Sequence, residues 1–152
     1  MNWQELAASS HYQTAVAVNH ALREGRIDEA MVGIEELIEA LTRSDKRALK
    51  SHLVRLMVHV IKWHTQPLRR SRSWRGTINS ARREIRAIQE DTPSLTRAVI
   101  EAQWDDCFET AKEEAEIQMN QEPELTSISW AQAFEEPYEL ESLPKPTRRR
   151  KR

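Results

Sequence analysis

The sequence predicts an all-α protein, a single helical bundle of about four to five helices. Only three glycines and six prolines occur in 152 residues, too few for the tight turns of a strand-rich fold. No run alternates Val, Ile, Thr and aromatics with polar residues; apolar side chains recur instead at spacings of three and four. The length suits one domain with a single core, because two halves would each be marginal.

The first helix is expected over about Asn2–Glu24, closed by Gly25. A second begins at Asp28, whose carboxylate can accept first-turn N–H groups, with Ile27 and Val32 forming a hydrophobic staple. Its apolar face is Met31, Ile34, Leu37, Ile38 and Leu41. Ser44 caps a third helix after a short Thr42-Arg43 connection, and Leu49, Leu53, Leu56, Val60 and Trp63 form its buried stripe. Pro67 stops that helix, since it donates no N–H and disfavours helical geometry at Gln66. Ser71 or Ser73 caps a fourth helix with the stripe Trp74, Ile78, Ala81, Ile85 and Ile88, and Arg75, Arg82 and Arg86 lie on the opposite side. Thr92-Pro93 reads as the start of a fifth segment reaching about Asn120. Its pattern slips phase between Ala102 and Phe108, so it is one bent helix or two short ones. The expected organisation is a bundle over residues 1–121, an acidic extension over 122–143 with a docking piece around Trp130, Ala131 and Phe134, and a disordered basic tail over 144–152.

A net charge of −1 hides strong segregation. Residues 1–45 carry −5, residues 46–88 carry +11, residues 89–143 carry −13, and the last nine residues carry +6. Either the blocks neutralise one another inside the bundle, or the basic surface serves an acidic partner, nucleic acid or protein. The longest uncharged stretch, Leu6 to Leu22, contains Ser9, Ser10, His11, Gln13, Asn19 and His20 and suits neither a membrane span nor a signal peptide. The single cysteine, Cys107, excludes an internal disulfide, and with no membrane segment the expected location is the cytoplasm.

The run ALKSHLVRLMVHVIKWHTQPLRRSRSWRGTI, followed by an arginine-bearing helix and TPSL, resembles the bacterial family catalogued as domain of unknown function twenty-nine. The likeness begins near EELIEALTRSDKR and covers about the first two thirds of the chain. Its matching positions are Glu36, Glu39, His52, His59, Lys62, Trp63, Gln66, Pro67, Arg70, Arg72, Ser73 and Trp74. The resemblance implies a small helical bundle without an agreed activity. The acidic stretch after Gln121 and the RRRKR end fall outside its pattern.

Three constellations carry chemistry. With helices two and three antiparallel, Glu35 and Glu39, four residues apart, face His52 and His59. A polar network of Glu36, Glu39, His52 and His59 that fixes helix packing is the preferred reading, and a metal-binding bundle is the alternative, although the repeated Glu-x-x-His of such bundles is missing. No metal and no cofactor are expected. Arg47 and His52 resemble the Arg-x-x-x-x-His motif of small helical ribonucleases, but Ala48 replaces the polar residue that usually follows the arginine; this is the RNA-directed hydrolase alternative to a non-enzymatic interaction module. Arg69, Arg70, Arg72 and Arg75 surround Ser71, Ser73 and Trp74 at a helix start, a candidate anion site. For Arg75, Arg82 and Arg86 the first explanation is internal: pairing with the ridge Glu101, Asp105, Glu109 and Glu113.

Overall fold

The computed structural model describes residues 1–140, and these form seven α-helices and no strand, as an all-α fold requires. The basic tail from Pro144, expected to be disordered, lies outside the described residues. Among the described residues no helix is long and apolar enough to cross a membrane.

The first helix is two helices, α1 (Trp3–Ser9) and α2 (His11–Arg23). Ser10 takes an extended backbone and its hydroxyl accepts the Gln13 N–H, so its side chain caps α2 where an uninterrupted helix was expected. Gly25 closes α2 as expected, at φ 78°: its N–H reaches the Leu22 carbonyl and the Arg26 N–H reaches that of Ala21, the two bonds of a left-handed helix stop.

The expected second and third helices are one, α3 (Ile27–Thr65), 39 residues long. Between Gly33 and Pro67 no glycine or proline interrupts the chain, and Thr42 returns its hydroxyl to the Ile38 carbonyl rather than opening a turn. Ser44 therefore caps nothing, and Asp45 accepts the Thr92 hydroxyl. The helix also starts before Asp28, which lies inside its first turn; Ile27 and Val32 are both about half exposed and form no buried staple.

Two apolar clusters share this helix. The larger takes Leu49, Leu53, Leu56, Val60 and Trp63, as expected, against α4 (Arg72–Asp91), α6 (Trp104–Met119) and α7 (Trp130–Phe134). The smaller packs Trp3, Val18, Ala21 and Ala30 near the N-terminus. Of α3 it takes Ala30, on a buried face of small residues that continues through Gly33 and Ala40; four of the five large apolar residues expected inside, Met31, Ile34, Ile38 and Leu41, are exposed and Leu37 is half-buried. Small residues win that face because Trp3 lies so close that a Cβ on Gly33 would stand 2.7 Å from its ring and 2.7 Å from Val18. Gly33→Ala should therefore destabilise the protein despite its helix propensity, by about 1–2 kcal/mol net. Gly76→Ala in exposed α4 meets nothing within 4 Å and should stabilise by about 0.5–1 kcal/mol. Opposite shifts in thermal melting would check both.

After a 3-10 turn at Pro67–Arg69, Ser71 caps α4, accepting the Trp74 N–H, and Ile78, Ala81 and Ile85 are buried as expected. Thr92 ends α4 instead of starting the next helix, because its N–H is bonded to the Ile88 carbonyl. The fifth segment then begins at Arg97 as α5 (Arg97–Ala102) and breaks at Gln103 before α6, which settles the phase slip as two helices; α6 stops at Asn120 in the left-handed region. The segment that follows docks on the larger cluster through Ile128, Ala133 and Tyr138. Trp104 stacks on Trp130 at 5.6 Å and donates its indole N–H to the Ile128 carbonyl.

Candidate functional site

Helical spacing puts Arg43, Arg47 and Lys50 on one line of α3, with Lys46 beside it. These four and Gln103, the residue at the α5–α6 break, line a surface depression of about 410 Å³ that contains no carboxylate. Arg47 and Lys50 continue into an adjoining depression of about 590 Å³ between α3 and α6. Val54 and Val58 supply apolar surface there, Ser51, Thr110 and Gln118 supply hydrogen-bonding groups, and Glu114 is its one acid. Arg47 also borders a third depression, of about 190 Å³, beside Ser9, Ser10 and Ser44. The result is a basic groove with Arg47 common to all its parts.

Like charges three and four residues apart on a helix cost a few tenths of a kcal/mol per pair. Of the groove's cations Arg43 alone makes an ion pair among the described residues, with Glu39 at 3.8 Å, and that pair is exposed. Among the described residues Lys46, Arg47, Lys50 and Arg55 make no ion pair. Unpaired cations along one wall suit an anion from outside.

At the far end of the groove His59 is half-buried, its Nδ1 2.9 Å from the Arg55 carbonyl. A carbonyl only accepts, so Nδ1 carries the proton and Nε2 is an acceptor. Burial pushes the His59 imidazole below the ordinary histidine value, the Arg55 carbonyl opposes this, and the Lys62 and Arg55 charges add to it. Burial likewise lowers His64, helped by the Arg70 charge and opposed by Glu136. The unfolded chain binds these protons near the ordinary value of 6.5 and the folded chain only at lower pH. Stability should therefore be full above about pH 6.5 and fall as the pH drops toward the folded values, with His64→Gln flattening the slope of melting temperature against pH.

The Arg69–Arg75 cluster is divided. Arg70 turns inward, donating Nε to the Trp63 carbonyl at 2.8 Å and lying 5.1 Å over the Trp63 ring, so it clamps the end of α3. Arg69, Arg72 and Arg75 remain exposed. Trp74 is half-buried against the larger cluster, with the Lys62 ammonium 5.7 Å from its ring. The pairing expected between Arg75, Arg82, Arg86 and the ridge Glu101, Asp105, Glu109, Glu113 is absent from the described residues: all four acids face solvent and Glu101 pairs with Arg97 at 2.8 Å. Arg82 is instead covered by main-chain carbonyls, those of Ala133 at 2.7 Å and Glu136 at 2.8 Å, and stacks on Tyr138.

Because α3 is continuous, Glu36 and Glu39 cannot face the histidines. Thirteen residues of helix put Glu39 about 20 Å along the axis from His52. His52 Nδ1 lies 3.3 Å from the Arg55 guanidinium, and no group of three or more His, Cys, Asp or Glu side chains among the described residues can hold a metal ion. Arg47 and His52 stand five residues apart, about 140° around the helix, which separates the two halves of the ribonuclease-like motif. Cys107 is fully buried and its thiol is pushed up by that burial, so it is no nucleophile. Sequence reasoning missed the groove because Gln103, Thr110 and Gln118 come from a segment about 60 residues away; the Arg43-Arg47-Lys50 line alone was legible.

A family model described as "Domain of unknown function DUF29" matches residues 11–139. The match takes in the acidic segment up to residue 139, which the resemblance had left unexplained. Neither the curated proteins nor the solved structures contain a significant match. The family's span thus includes α2 to α7 and every residue of the groove outside Ala8, Ser9 and Ser10, and the chain belongs to the family Domain of unknown function DUF29.

Proposed function

We propose that this helical protein is a non-enzymatic interaction module that holds a nucleic-acid strand by its phosphates along the groove of α3. The observation that carries this reading is the depression lined by Arg43, Lys46, Arg47, Lys50 and Gln103, four cations and an amide with no carboxylate. Phosphate oxygens accept from guanidinium and ammonium groups in charge-assisted hydrogen bonds, and releasing counterions from the strand adds affinity. The neighbouring valines and hydroxyls offer a base and sugar both apolar and polar contact. An acidic protein is the competing partner. Hydrolysis by Arg47 and His52 is the weaker reading, since the two side chains leave the helix in different directions.

Binding of a labelled single-stranded RNA and of duplex DNA, measured against salt, tests the proposal. Changing Lys46, Arg47 and Lys50 together to Gln should flatten the slope of log affinity against log salt by about 2–3 for single strands, at about 0.7–0.9 per lost phosphate contact. Wild-type protein with no salt-sensitive binding to either probe at low ionic strength refutes the nucleic-acid reading. Binding to polyglutamate under the same conditions would then identify the partner as acidic protein.

A further inference from the structure

The cations of the groove are concentrated at one end of it. Arg43, Lys46, Arg47 and Lys50 fall within about 10 Å of helix axis and, with Gln103, line the depression of about 410 Å³. All four are exposed. Gln103 brings a second observation: its Nε2 is buried and donates to no acceptor among the described residues. A buried amide left so costs about 1–3 kcal/mol, and an anion oxygen entering beside it would be the missing acceptor. The ways out of this depression are unequal. On α3 the line of Arg43, Arg47 and Lys50 continues backwards into Glu39 and Glu36, about one and two turns before Arg43 on the same side of the helix. Across from it, the exposed Asp105 and Asp106 follow Gln103 in the first turn of α6. The depression beside Ser9 and Ser10 is about 190 Å³, below the roughly 300 Å³ at which ligand pockets begin. Only the depression of about 590 Å³ is roomy, and it shares Arg47 and Lys50 with the cationic end. A polyanion can therefore enter from that side but meets carboxylates if it continues.

We propose that the cationic end is a pocket for the terminal phosphate of a single strand, with the first nucleoside seated in the wider depression against Val54 and Val58. This rests on the reading of the groove as a strand-binding site and adds what part of the strand it holds. A phosphodiester inside a strand carries one charge and two free oxygens. A terminal phosphomonoester carries nearly two charges near neutral pH and three free oxygens, each able to accept from a guanidinium, an ammonium or an amide. Four cations and the Gln103 amide around one depression match the terminus better than a diester. The carboxylates beyond Arg43 agree, because a strand that ends there has no further phosphates to bring against Glu39 and Glu36. The groove then recognises where a strand ends rather than its sequence.

Fluorescence-polarisation titrations of the full chain at about 0.15 M salt test this with oligonucleotides of one sequence. The strands carry a 5′-phosphate, a 3′-phosphate, hydroxyls at both ends, or no end at all because the strand is circular. At least one phosphate-ended strand should bind about tenfold or more tighter than the hydroxyl-ended and circular ones, and which end it is gives the polarity of the strand in the groove. The double change Arg43→Gln, Lys46→Gln should erase that preference, since these two line the cationic depression and not the wider one. Both side chains are exposed, so helical circular dichroism should be unaltered. Gln103→Glu, which sets a carboxylate where the amide stood, should erase the preference too. Equal binding of all four strands would overturn the terminal-phosphate proposal and leave the strand-binding reading standing, whereas no salt-sensitive binding of any strand would remove both. A preference that survives the double change would place the phosphate elsewhere and overturn the proposal as well.

Discussion

Trp63→Ala should be among the most damaging single changes in this protein, lowering its unfolding free energy by about 3–5 kcal/mol. The ring is only 4% exposed, meets Tyr138 edge-on at 5.5 Å, and supports the Arg70 guanidinium on its face. Truncation opens a cavity where α3, the turn that follows it and the C-terminal segment converge. Arg70 keeps its bond to the main-chain carbonyl of residue 63, so the loss should come from packing and not from the clamp. Urea unfolding measures it, and Trp63→Phe should recover more than half of the loss. A loss below about 1 kcal/mol would place the ring outside the core.

Arg82→Gln should cost about 2–4 kcal/mol, because hydrogen bonds from a charged donor contribute about 1.5–3 kcal/mol each and two short ones end on Ala133 and Glu136. Its effect should be local as well as global. Without Arg82 the carbonyls at the end of α7 lose their donor and Tyr138 loses its stacked cation, so amide exchange over residues 128–138 should accelerate. Arg83→Gln is the matched control: Arg83 is exposed and makes no hydrogen bond among the described residues, and its change should stay within about 0.5 kcal/mol. If the two variants melted together, Arg82 would belong with the surface charges available for binding.

These two residues mark the boundary of what could be read in advance. Trp63 sits in a 4-3 stripe, and such a stripe identifies a buried face whatever the partner turns out to be. Arg82 sits in an equally regular arginine line, yet its partners are main-chain carbonyls about 50 residues away, which no side-chain pattern encodes. The same distinction explains the stripe of Ile34 and Ile38, a well-formed apolar pattern that stays exposed because Trp3 prefers the small face beside it.

The sequence by itself determined the all-α class, the Gly25 stop, the break after Gln66, the Ser71 cap, the larger core stripe and the family resemblance. Each depends on residues within a turn or two of one another, or on local composition, and so is set by local physics. Only the tertiary structure decided that helices two and three are one, which separates Glu36 and Glu39 from His52 and His59. It alone decided which arginines are used internally and which line a groove, because a long charged side chain takes its role from the element packed against it.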